Sequence, residues 1–104
     1  MKILPKPVAF NWDKGNIGKN LIKHNVTDKE TEEVFGNKPL KIFKDIKHSE
    51  KEERFVAYGR TNFNRSLTIV FTLREEKIRV ISARDQNKKE RREYEEKIKT
   101  NTKV

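Results

Sequence analysis

One stretch of this chain, His48 to Arg84, collects the side chains needed to bind and cut a phosphodiester. His48 lies in a run of polar residues, His48-Ser49-Glu50-Lys51-Glu52-Glu53-Arg54. Histidine is the side chain suited to proton transfer near neutral pH, so His48 is the natural acid/base candidate, with Glu50 or Glu53 as its carboxylate partner. Arg54 and Arg79 can bind a phosphate bidentately and hold the charge that builds on it. Tyr58 can stack on a splayed base. Thr68, Lys77 and Arg84 can position the rest of a substrate. Each residue also has a plain structural use. The glutamates can keep a loop soluble, and Arg84 can pair with Asp85 or with the last helix.

Those residues need a sheet to bring them together. Arg54–Arg60, Ser66–Leu73 and Lys77–Ala83 alternate apolar and polar residues, and short connections at Thr61–Arg65 and Arg74–Glu76 make them an antiparallel meander. Along Ser66–Leu73, the residues Leu67, Ile69, Phe71 and Leu73 form one apolar face, which should carry helices together with Phe55, Ala57, Ile78 and Val80. Arg54, Val56, Tyr58, Thr68, Thr72, Lys77, Arg79 and Ile81 should then share the opposite, open face.

Upstream, Val8–Trp12 reads as a short strand and Leu40–Phe43 as a weak one. Asp13 can cap a helix over about Lys14–His24 with a stripe of Ile17, Leu21 and His24, although Gly15 and Gly18 weaken it by up to about 1 kcal/mol each. His24 is expected in the core or as a C-terminal cap, and Asn25 sits where a left-handed residue ends a helix. Thr27-Asp28-Lys29-Glu30 is a capping box for a second helix running to Val34-Phe35 before Gly36. Asn87 and Glu90 offer a similar pair for a last helix to about Ile98. The fold class is therefore α+β: two N-terminal helices packed on an antiparallel sheet, followed by a C-terminal helix.

At 104 residues the chain is one domain, with a core over about 8–98. Charged residues make up 39% and hydrophobic ones 33%, so the core is thin. A formal charge of +9 and a pI near 9.9 favour an anionic partner. No apolar run is long enough to span a bilayer, and Met1–Pro7 lacks an apolar core for export, so a cytoplasmic protein without a membrane partner is expected. Cysteine is absent and the two histidines stand far apart, which leaves no recognisable metal site. No phosphate-cradling glycine loop is present, so no cofactor is expected.

Several segments, in order, carry a resemblance. They are Phe10-Asn11-Trp12-Asp13, Asn20 with Lys23-His24-Asn25-Val26, Glu33-Val34-Phe35, His48-Ser49 with Glu53-Arg54-Phe55, Arg79-Val80-Ile81-Ser82-Ala83-Arg84, and Glu90-Arg91-Arg92-Glu93-Tyr94-Glu95. Together the set, spanning about Val8 to Glu96, resembles the BrnT family of type II toxin–antitoxin toxins. Asn25 stands where that family has glycine, and asparagine tolerates the same left-handed backbone. The resemblance implies a RelE-like fold and ribonuclease activity that arrests translation. It also implies neutralisation by a BrnA-type antitoxin in a heterotetramer that reaches operator DNA only through the antitoxin. A non-catalytic basic module, binding RNA or protein through the same face, is the alternative.

Overall fold

The computed structural model describes residues 4–48 and 51–102. Glu50 therefore lies outside the described residues. The elements are α1 (Lys19–His24), α2 (Asp28–Gly36), β1 (Lys41–Lys44), a 3-10 turn (Ile46–His48), β2 (Phe55–Arg60), β3 (Ser66–Arg74), β4 (Lys77–Asp85) and α3 (Lys88–Thr102). The strands form one antiparallel sheet in the order β1-β2-β3-β4.

The apolar alternation of β3 sets the main core. Leu67, Ile69 and Phe71 are fully buried with Ala57, Ile78, Ala83, Val26 and Val34. Phe71 packs edge-on against Phe35 of α2 and stacks on Phe55 of β2. α2 begins at the expected capping box, where the Thr27 side chain accepts from Glu30 N–H and Glu30 accepts from Thr27 N–H. Gly59 lets this helix lie close, since a Cβ there would meet Val34 Cγ1 at 2.5 Å. The β3–β4 hairpin turns through Glu75 and Glu76, both left-handed at φ 53 and 62, the paired conformation that matches strand twist.

Three expectations change. First, α1 is shorter than Lys14–His24, because Gly18 takes φ 70 and residues 14–18 form turns. The stripe Ile17, Leu21 and His24 does not pack; all three are exposed. The buried residues are Asn16, which donates to Asn11 O and Val80 O, and Asn20, which accepts from Ala83 N–H. Second, Val8–Trp12 makes only a single parallel bridge, Phe10 to Ile78, on the free edge of β4. Ala9 O and Asn11 N–H bond to Ile78 there.

Third, α3 covers part of the face that alternation left open. Tyr94 of α3 is buried against Tyr58, with ring centroids 6.5 Å apart, and its hydroxyl donates to Pro39 O at 2.6 Å. Glu90 accepts from Thr68, which lies on the same face. Thr68 is buried beneath that cover, while Thr72, farther along the face, is buried where its hydroxyl donates to Glu53 O. A bulge in β4 also changes its facing. Phe71 pairs with Val80 but Val70 pairs with Ser82, so Ile81 is an extra residue. Beyond it the parity flips and Arg84 comes opposite Thr68, in a row with Tyr58.

Candidate functional site

The site begins in the loop between β1 and β2. Asp45 N–H donates to Arg54 O at 2.8 Å, which closes the loop and sets the short 3-10 turn above the start of β2. From there the Asp45 carboxylate meets His48 Nδ1 at 3.0 and 3.3 Å. With Nδ1 donating to the carboxylate, Nε2 keeps its lone pair and is free to accept a proton. The imidazole is 65% exposed while Asp45 is 20% exposed, so the carboxylate is the fixed member and the ring the presented one.

His48 and Arg54 stand where two concavities meet. One, of about 390 Å³, lies on the open half of the sheet. Its floor is apolar, from Phe43, Val56, Val70 and the bulged Ile81, and its walls carry His48, Arg54, Arg84 and Glu90. The other, of about 540 Å³, is lined by Lys47, Lys51, Arg74 and Glu52 as well as His48 and Arg54. Among the described residues that line it, Glu52 alone opposes its cations, and it pairs with Arg74 at 3.4 Å. A polyanion lying along the second concavity would bring a phosphate to Arg54 and His48, with a flat group free to enter the first.

The far wall is a closed ion pair. Arg84 donates twice to Glu90, both at 2.7 Å, and Glu90 also accepts from Thr68 Oγ1 and Asn87 N–H. Burial pushes the Glu90 carboxyl up, but the Arg84 guanidinium and the Asn87 amide outweigh it and hold it below the usual range. Arg84 is shifted up, chiefly by the hydrogen bonds to Glu90. Tyr58, 5% exposed, is pushed up by burial and by the carboxylates of Glu93 and Glu90, so it stays a neutral phenol. It is covered by Tyr94 and packed at 5.1 Å from Phe43, so its ring is not open to stack a base as expected.

A family model for the ribonuclease toxin, BrnT, of type II toxin–antitoxin systems matches residues 12–90. The chain belongs to that family. Among curated proteins, none matches it. The family match runs from Trp12 to Glu90, so every residue that lines either concavity falls inside it. It also takes in the Asp45–His48 pair and the Arg84–Glu90 pair.

Of the residues singled out from sequence, the fold brings His48, Arg54, Tyr58, Thr68 and Arg84 around one cavity of this BrnT-family chain. Among the described residues, it does not bring Arg79, Glu53 or Lys77 there. Arg79 is opposite Thr72 in the sheet, but its guanidinium donates to Asn11 Oδ1 at 2.6 Å and to both Asp13 oxygens at 2.9 and 3.0 Å. With 15% of the side chain exposed, it ties the N-terminal segment to β4 and lines neither concavity. Glu53 pairs with Lys44 at 3.1 Å across the β1–β2 edge. Lys77 lies at the β3–β4 hairpin, in a separate hollow with Leu4 and Pro7. Sequence reasoning missed Asp45, although Asp-x-x-His within a short turn was a readable signal. It also missed Arg65, which joins Glu30, Asp85 and Asn25 O and so holds the hairpin loop to both N-terminal helices. Only the tertiary fold brings those partners together.

Proposed function

We propose that this chain is a metal-independent endoribonuclease of RelE-like fold that cleaves RNA in the cytoplasm and stops translation. In this reading a BrnA-type antitoxin holds it inactive in a heterotetramer, and the complex reaches operator DNA through the antitoxin. The observation that carries the catalytic reading is the imidazole of His48, oriented by Asp45 and set beside Arg54 at the junction of the two concavities.

The reaction follows from that arrangement. His48 Nε2 takes the proton of a ribose 2′-hydroxyl, and the 2′-oxygen attacks the adjacent phosphorus. Arg54 stabilises the added negative charge on the phosphoryl oxygens. The P–O5′ bond then breaks, the departing oxygen takes a proton from solvent at the open groove, and the products are a 2′,3′-cyclic phosphate and a 5′-hydroxyl. Asp45 stabilises the imidazolium that forms. Lys47, Lys51 and Arg74 hold the flanking backbone, and the Arg84–Glu90 pair shapes the cavity wall. Arg79 is assigned to holding the structure rather than to the phosphate.

Incubation of purified protein with RNA in EDTA tests this directly. Discrete fragments ending in cyclic phosphate are expected, with His48→Gln reducing their rate by on the order of 100-fold or more while RNA binding persists. Retention of intact RNA by the wild-type protein would instead identify a non-catalytic binding module.

A further inference from the structure

The segment at α1 is amphipathic in the wrong sense for a helix that serves only its own fold. The side chains at i and i+4 facing the sheet are asparagines, Asn16 and Asn20, both buried and hydrogen-bonded to the edge of β4. The apolar residues face away: Leu21 is 49% exposed, Ile17 in the preceding turn 57%, and Ile22 87%. Ile17 lies in the turn that leads into α1, and Leu21 and Ile22 lie within the helix, so the three fall within six residues of chain. Lys14, Lys19 and Lys23 are interspersed with them in sequence, all exposed. Water gains nothing from such a surface, whereas a partner that covers it would.

We propose that this patch is an anchoring surface for an acidic, amphipathic segment of the antitoxin, beside the free edge of β4 and apart from the residues that line the cleavage cavity. Charge decides the occupant. A second copy of this chain, at net +9, would bring the same three lysines against one another, while an acidic segment neutralises them. RNA supplies phosphate but no apolar side chains to cover the isoleucines and the leucine. The proposal rests on the toxin–antitoxin reading for its partner but not on the cleavage chemistry.

The test uses the full chain and its cognate antitoxin, comparing wild type with an Ile17→Ser, Leu21→Ser, Ile22→Ser triple variant. The expected result is a dissociation constant raised on the order of 100-fold, with RNA cleavage by the free protein and its unfolding midpoint unchanged. Lys19→Glu with Lys23→Glu should slow association and reduce its salt dependence. Hydrogen exchange on the wild-type complex should show protection at Lys19–His24. An unchanged affinity in the triple variant, or loss of self-association in place of antitoxin binding, would overturn the proposal. If the wild type cuts no RNA yet the triple variant still weakens the complex, the ribonuclease reading fails and the anchor stands.

Discussion

The two faces of β3 are both buried, but by different physics. On one, Leu67, Ile69 and Phe71 meet α2 and the aromatic cluster through contacts that need no particular direction. On the other, Thr68 and Thr72 are equally buried, yet every polar atom there requires a partner at a fixed angle. The first face is covered fully over Leu67, Ile69 and Phe71 because apolar burial favours any cover. The second is covered where α3 reaches it through Glu90 and Tyr94 and where the Glu53 backbone meets Thr72. The uncovered remainder, between that helix and the Asp45–His48 turn, is the cavity. The difference teaches that the site lies where directional cover stops, while stability lies on the opposite side of the sheet.

The strongest way to break that division is on the apolar face. Phe71→Ala should cost about 3–5 kcal/mol, measured by urea unfolding, and should lower RNA cleavage only as far as it lowers the folded fraction. On the other face, Arg54→Ala should reduce cleavage on the order of 100-fold with little change in unfolding midpoint. An equal loss in both measurements would erase the distinction.

Smaller effects sharpen it. Glu90 has its carboxyl held below the ordinary value of 4.5, against burial and mainly by Arg84 and Asn87. A lowered folded pKa means that its stabilisation is fully present above that value and is lost as pH falls through the folded one. Glu90→Gln should therefore be less stable than wild type at neutral pH, and the gap should close as the solution is acidified below 4.5. Stability curves at several pH values check the sign. Arg79→Ala should release the N-terminal segment from β4 and lower the midpoint, with less loss of cleavage than Arg54→Ala shows. The converse ranking would return Arg79 to the phosphate. Ile22→Ser, at the exposed end of α1, should change stability by no more than about 0.5 kcal/mol.

The sequence by itself determined the sheet and its buried face. Period-two alternation in Ser66–Leu73 admits one register, because a slip by one residue would turn Leu67, Ile69 and Phe71 to water. Capping boxes at Thr27 and Asn87, and the left-handed Asn25, were legible for the same reason: each is a local hydrogen-bond or steric rule. Only the tertiary structure decided the partners of the arginines. Arg79 and Arg84 sit five residues apart on one strand with nothing local to distinguish them. The first meets Asn11 and Asp13 from the far end of the chain, and the second meets Glu90 of a helix laid over the open face. The bulge at Ile81 and the cover by α3 were equally hidden, since both depend on packing between elements rather than on periodicity within one. A charged side chain takes its role from whichever opposite charge the fold brings to it, and that choice is not written in the residues beside it.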